Sequence, residues 1–300
     1  MSRKIVVLLN KKAFTMSIKA FLGMGLLGSN FVKAMLRRGD TMQVWNRTAS
    51  KAAALESDGA KAFSDVRDAV KGANRIHVTL KDDASVDAVL EQASAGFSPG
   101  AIIIDHTTTS KDGAVQRTAY WKSKGYTYQH APVFMGPSNA LDASGYMLVS
   151  GEPSVVDQLT PELSVMTGKL IQLGAETGKA AAMKLMGNSF LVCFAFTLRD
   201  TYAVAKAQGL TVDDILGLFQ TWNPGAQVEG RLKRMTSGDL SKPSWELDMA
   251  RKDTNLFLEA AEKGGTHLSI LPTIATVMDE WIGKGFGQHD WTIVANDLRD

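Results

Sequence analysis

Apolar and polar positions along this chain keep two different periods. In the first half, short apolar runs alternate with stretches of helical spacing. Residues 18–22 form an apolar run, and 26–38 repeat their apolar side chains every three to four positions. Residues 41–45 read as a second strand. Helical spacing over 51–58 leads to a short strand at 60–63 and a helix at 64–71. Residues 75–80 predict a strand, 85–92 a helix, and 101–105, with three consecutive isoleucines, a strand buried on both faces. Strands at 125–130, 146–150 and 169–173 close the series. Strand and helix in alternation predict an α/β fold, a doubly wound parallel sheet of Rossmann type.

From residue 177 the strand period stops. Residues 179–206 form one long helical pattern, followed by helices at 212–222, 226–235, 245–263 and 269–284. A length of 300 residues fits two domains. The expected division is a Rossmann-type α/β domain over 17–178 and an all-helical domain over 179–300. Residues 1–16 precede the first strand and carry Arg3, Lys4, Lys11 and Lys12 with no acid. They lack the amphipathic pattern of a transit peptide and the length of a secretory apolar core. They read as an extension, either an added edge strand or an upstream start with Met16 as the original one.

The junction between the first strand and the first helix carries the strongest motif. Gly23-Met24-Gly25-Leu26-Leu27-Gly28 is a Gly-x-Gly-x-x-Gly loop in the strand–loop–helix setting that makes the pattern informative. Gly23 permits a tight turn, Gly25 admits a pyrophosphate to the backbone, and Gly28 lets helix pack on strand. The helix N-terminus then attracts the phosphates. The second strand ends in Asn46-Arg47-Thr48, where an NAD site places an acid for the ribose 2′-hydroxyl. No acid stands there, and Arg47 can fork onto a 2′-phosphate. The expected cofactor is NADP(H).

Composition narrows the partners. With 45% apolar and 21% charged residues and a net charge of +2, the chain reads as an ordinary globular protein. Its basic residues form no stripe and are not interleaved with aromatics, so no nucleic-acid partner is expected. The lone Cys193 excludes an intrachain disulfide and fits a reducing, cytoplasmic setting. Its apolar neighbours predict a packing role in the core. No unbroken apolar stretch reaches the ~18 residues of a membrane span, so no membrane partner is expected. The histidines are scattered, and no cluster has metal-ligand spacing. No metal is expected.

Two further stretches carry chemistry. His106-Thr107-Thr108-Thr109-Ser110 follows the strand ending at Asp105, beyond the carboxyl edge of the sheet, where ligands of such folds bind. Ser110 suits a helix cap, leaving Thr107 or Thr108 for substrate and nicotinamide. On the long helix, Lys184 and Asn188 stand four apart and share one face. Lys184 lies among Ala182, Met183, Leu185 and Met186, as either a snorkelling surface residue or a buried functional amine.

Taken in order, these blocks resemble the β-hydroxyacid dehydrogenase family, which includes 3-hydroxyisobutyrate dehydrogenase and the glyoxylate/succinic semialdehyde reductases. The resemblance rests on Gly23–Gly28 with 44–48, on 105–110, on Ala131-Pro132-Val133, on Lys184 with Asn188, and on Lys252-Asp253. It implies interconversion of a small carbonyl compound and its hydroxy form, with Lys184 as general acid and base and Asn188 orienting lysine or substrate. It also implies cofactor contacts at Leu80, Lys81, Thr107 and Lys252, beside the glycine loop and Asn46-Arg47-Thr48. The substrate contacts it implies are Thr107, Thr108, Gly136 and Asn188. Helical domains packed together imply a homodimer or higher assembly. The chain departs from the family after Ala-Pro-Val, where a small Ser-Gly-Gly loop usually takes a carboxylate. Phe134-Met135-Gly136-Pro137 stands there instead, and Lys111 replaces the usual proline. A carboxylated aldehyde and a larger apolar carbonyl compound both stay open. Imine reductases are similar, but usually carry Asp or Tyr at the Lys184 position. A scaffold that holds NADP without turnover is the reading from a different class.

Overall fold

The structure, a computed structural model, describes residues 18–299; the expected 1–16 extension lies outside them. The chain groups into two compact units, one ending at Asn188 and the other starting at Ser189.

The first unit is built on six parallel strands: β1 (Ile18–Leu22), β2 (Thr41–Trp45), β3 (Lys61–Phe63), β4 (Arg75–Val78), β5 (Ile102–Asp105) and β6 (Thr127–His130). Their order is β3-β2-β1-β4-β5-β6, which reverses direction beside β1. Leu22 pairs with Trp45 and Val78, Val78 with Asp105, and Asp105 with His130. Five carboxyl ends are thus level, and the residues that follow them share one edge.

Helices cover both faces: α1 (Leu26–Arg37), α2 (Ala49–Ala53), α3 (Val66–Ala69), α4 (Asp83–Ala93) and α5 (Lys111–Ser123). The period-2 alternation of the strands divides the core. Ala20, Leu22, Ile76, Val78 and Ile103 pack against α3 and α4 with Val66, Val86 and Leu90. Phe21, Ile102 and Ile104 pack on the opposite face with Phe31, Val32 and Met35 of α1. Each of these valine, leucine, isoleucine, phenylalanine and methionine side chains contributes roughly 1.5–3 kcal/mol when fully buried.

The strands expected at 146–150 and 169–173 do form, but not in the main sheet. A separate three-stranded sheet joins β7 (Val133–Phe134), β8 (Tyr146–Val149) and β9 (Lys169–Gln172). Pro132 is the cause: it has no N–H to continue the ladder of β6, so the chain leaves the sheet there. β7 then runs antiparallel to β8. Two short-range helices accompany this sheet, α6 (Pro137–Leu141) and α7 (Pro153–Ser164), the latter with Pro161 inside it.

The long helix α8 spans Lys179–Ala207. Its first turns belong with the first unit: Ala180 N donates to Ser150 Oγ at 2.9 Å. The rest belongs to the second unit, with α9 (Val212–Thr221), α10 (Val228–Ser237), α11 (Leu247–Lys263) and α12 (Leu271–Trp281). A small cluster of Leu240, Leu247, Ala250, Met278, Trp281 and Ile293 forms its core. Buried Asp200 accepts hydrogen bonds from the N–H groups of Ser269, Ile270 and Leu271 and so fixes the start of α12.

One expectation is corrected on α8. Cys193 is exposed rather than packed in a core, because Phe190, Leu191, Phe194 and Phe196 around it are exposed as well. An 18-residue window of this helix also has a mean hydropathy of 1.5, so by length and composition it could cross a membrane, and 11% of that window is buried. Lys184, Gly187, Asn188, Ser189 and Thr197 interrupt the apolar run, which is why a search for unbroken apolar residues passes over it.

Candidate active site

The glycine loop is shaped by close contacts that only glycine tolerates. Gly23 has φ +104°, and a Cβ there would stand 2.0 Å from Thr79 O. A Cβ on Gly28 would stand 2.0 Å from Gly23 O, so the third glycine is what lets α1 pack on the loop. Gly25 differs: nothing lies within 4 Å of its missing Cβ. It sits at the N-cap of α1, without a side-chain cap and without an acid in the first turn. Those open N–H groups, at the positive end of the helix dipole, suit a pyrophosphate. Met24 is buried, Leu27 packs against the core and Leu26 is exposed.

Asn46 takes the place of the usual acid. Its Oδ1 accepts from Met24 N at 2.9 Å, and its Nδ2 donates to Thr48 O at 2.9 Å. Arg47 and Thr48 are exposed beside it, and Arg47 forms no ion pair among the described residues. Leu80 N donates to Thr107 Oγ1 at 3.0 Å, which ties the ends of β4 and β5 together. Lys81 is exposed and stands 3.7 Å from Asp82.

Thr107 is itself buried: its N–H donates to Asp105 Oδ1 at 2.8 Å and its carbonyl accepts from His130 Nε2 at 2.8 Å. Thr108, next to it, is exposed. Ser110 caps α5 by accepting from Gly113 N at 2.9 Å.

Lys184 is 7% exposed. Its Nζ donates to Asn188 Oδ1 at 2.8 Å, one turn along α8. The same Nζ lies 4.2 Å from the centroid of the Phe134 ring. Burial holds the Lys184 amine below its ordinary value of 10.5, and it pairs with no described carboxylate. Gly136 donates its N–H to Asn139 Oδ1 at 2.9 Å, capping α6. Lys252, on α11 in the second unit, is exposed and pairs with Asp253 at 2.9 Å. The first unit thus brings together the glycine loop, Asn46, Leu80 and Thr107 by hydrogen bonds. Phe134, Lys184 and Asn188 form a second cluster on the same unit.

A buried polar chain escaped the sequence reading. His106 Nδ1 lies 2.8 Å from Ala131 O and must donate to it, because a carbonyl only accepts. His106 Nε2 therefore accepts from His77 Nδ1 at 3.1 Å. His77 Nε2 in turn stands 3.4 Å from Glu162 Oε1 of α7. Burial holds the His106 imidazole down to about 3, so it is neutral. Burial alone would raise the Glu162 carboxyl, but contacts with His77 and then Lys19 outweigh it and hold the group well below the usual carboxylate range. The one available signal was the alternation of β4, which places His77 on a core-facing position.

Comparison with known proteins fits this geometry. Residues 19–174 match the family described as the NAD binding domain of 6-phosphogluconate dehydrogenase. An uncharacterised oxidoreductase of Bacillus subtilis is 27% identical, covering 93% of this chain and 99% of its own. The 2-(hydroxymethyl)glutarate dehydrogenase of Eubacterium barkeri is 25% identical over 93% of this chain and 94% of its own. Among solved structures, an imine reductase from Myxococcus stipitatus in complex with NADP+ has a TM-score of 0.83 at 23% identity, over 94% of this chain and 99% of that one, which shows a shared fold. The chain belongs to the β-hydroxyacid dehydrogenase family, as an oxidoreductase with the pyridine-nucleotide-binding domain of 6-phosphogluconate dehydrogenase type.

Proposed function

We propose that this protein is an NADP(H)-dependent reductase that interconverts a small aldehyde or ketone and its hydroxy form, with Lys184 as the general acid. The observation that carries this reading is the Lys184 amine: buried, held by one hydrogen bond to Asn188, and free of any described carboxylate. A structural lysine at such depth would be matched by an acid, because an unpaired buried charge is costly.

The glycine loop fits the pyrophosphate, since Gly25 leaves space and the first N–H groups of α1 are uncapped. Asn46-Arg47-Thr48 would hold the adenosine ribose, with Arg47 on a 2′-phosphate and no acid to oppose it. Leu80, Lys81 and Thr107 complete the cofactor contacts proposed on this unit. When bound, NADPH supplies a hydride to the carbonyl carbon. Lys184, as an ammonium, stabilises the charge that develops on the carbonyl oxygen and delivers a proton to it. In the reverse direction its neutral amine accepts that proton. Asn188 keeps the amine in one orientation, and exposed Thr108 offers a hydroxyl to substrate. Gly136 is a weaker candidate for substrate contact because its N–H already serves Asn139.

We also assign a two-fold dimer. The exposed apolar residues of α8, among them Phe190, Leu191, Val192 and Phe194, support it, since contiguous apolar surface of this extent marks an interface. The single cysteine supports a cytoplasmic setting.

NADPH consumption by purified protein, measured against glyoxylate, succinic semialdehyde, aliphatic aldehydes and cyclic imines, tests the reading. Turnover of at least one aldehyde supports it. Turnover of imines alone would replace it with imine reduction, and tight NADPH binding with no turnover would indicate a scaffold.

A further inference from the structure

The side chain over the Lys184 amine is not one that a carboxylate site would use. Phe134 is the last residue of β7, and its ring lies 4.2 Å from Nζ. The ring is placed rather than adventitious. Val133 and Phe134 are held in a ladder with Met147 and Tyr146. Gly145, at φ +81°, lets β7 approach: a Cβ there would stand 2.9 Å from Phe134 O. From the helix side, a Cβ on Gly187 would stand 2.3 Å from Phe134 Cζ. Glycine at 187 is therefore what makes room for the ring against α8, one turn from Lys184.

Among the described residues no carboxylate pairs with Lys184, whose hydrogen bond goes to Asn188. β7 contains no titratable residue, and Tyr146, opposite Phe134, is the one titratable side chain of β8. On α8 the nearest cation besides Lys184 is Lys179. The negative face of an aromatic ring attracts an ammonium, and the same face repels a carboxylate. The N–H that a small Gly-rich loop would offer an anion is also engaged, since Gly136 N donates to Asn139.

We propose that Phe134 is a positioning and specificity residue of the carbonyl site: its ring face steadies the Lys184 ammonium, and its bulk selects substrates with an uncharged, apolar group beside the carbonyl carbon. The specificity half rests on Lys184 being the proton donor; the contact between ring and amine does not.

The two halves are tested separately on the full chain. The first uses NMR of protein labelled with 13C at lysine Cε, without cofactor. The Lys184 Cε signal should be displaced by the ring current in the wild type and in Phe134→Tyr, and return to the ordinary lysine position in Phe134→Leu. The Lys184 titration in Phe134→Leu should move down by about half a pH unit, since the ring favours the charged form. An undisplaced wild-type signal, or a titration that stays or moves up, overturns the positioning role. The second compares hexanal with succinic semialdehyde under NADPH. The wild type should favour hexanal by about tenfold or more in kcat/KM, and Phe134→Ser should erase that preference mainly through KM for the semialdehyde. A wild-type preference for the semialdehyde, or a ratio unchanged in Phe134→Ser, overturns the specificity role. Full activity in Lys184→Met would instead overturn the proposed function and leave the NMR result standing.

Discussion

Asn46 Oδ1 accepts a hydrogen bond from the backbone N–H of Met24 at 2.9 Å, so the residue that replaces the usual acid braces the glycine loop. Its amide has both ends engaged, and Arg47 is left as the charged group at the end of β2. Arg47→Ala should therefore lower NADPH affinity by tenfold or more while leaving NADH nearly unchanged, the scale of a charge-assisted phosphate contact. Asn46→Asp should weaken NADPH further by placing a carboxylate near the 2′-phosphate, while Met24 keeps its acceptor. Titration of both cofactors by fluorescence checks this. Equal losses for both would make Arg47 structural and remove the NADP assignment.

Glu162 meets His77 at 3.4 Å, Lys19 at 3.1 Å and Arg75 at 2.9 Å. Its carboxyl is depressed in the folded state relative to the unfolded chain. The stability this gives is fully present above the unfolded value of about 4.3 and is lost as pH falls below it. Glu162→Gln should cost about 3 kcal/mol at neutral pH, because it leaves Arg75 half-buried without its carboxylate and Lys19 with Asp40 alone. The variant should also lose part of the wild-type acid sensitivity between about pH 5 and 3. Urea unfolding at neutral pH and at about pH 3.5 measures both effects. A variant as acid-sensitive as the wild type would show that this carboxylate is not what couples the fold to pH.

Light scattering at micromolar concentration should give about twice the chain mass of 32.4 kDa. Phe190→Glu with Phe194→Glu, placed on exposed α8 positions, should shift the protein toward the monomer. A wild-type monomer would reject the dimer and leave the exposed apolar face of α8 to another occupant.

The first six strands and the glycine loop were legible because each is written locally, in a hydrophobic period or in a spacing of glycines. The second sheet was not. Strands at 146–150 and 169–173 could be seen, yet their removal from the main sheet is decided by Pro132, and β7 is too short to carry a period. α7 was hidden by Pro161 within it. The periodicity of α8 reported apolar residues correctly but not what covers them, so Cys193 was misplaced. The His77–His106–Glu162 chain and the Phe134–Lys184 contact join segments far apart in sequence, and no local pattern records such contacts. Lys184 itself was legible as a choice between two roles, and its burial favours the second.

With Lys184 as the proposed general acid, its depressed amine should also set a pH profile. Reduction needs the ammonium, so its kcat/KM should be level at lower pH and fall as pH rises through the lysine value, below 10.5. Oxidation of the hydroxy product needs the free amine and should rise over the same interval. Profiles in both directions that move together would assign the titration to another group.

The steady-state rate of Lys184→Met with saturating NADPH and the best aldehyde substrate tests the central claim most directly. Methionine keeps the length and apolar stem of the side chain and removes only the amine. The reading predicts a fall in kcat of roughly two orders of magnitude or more, the scale of general acid catalysis, with NADPH affinity barely changed. A variant that folds, binds NADPH and turns over at the wild-type rate would contradict it.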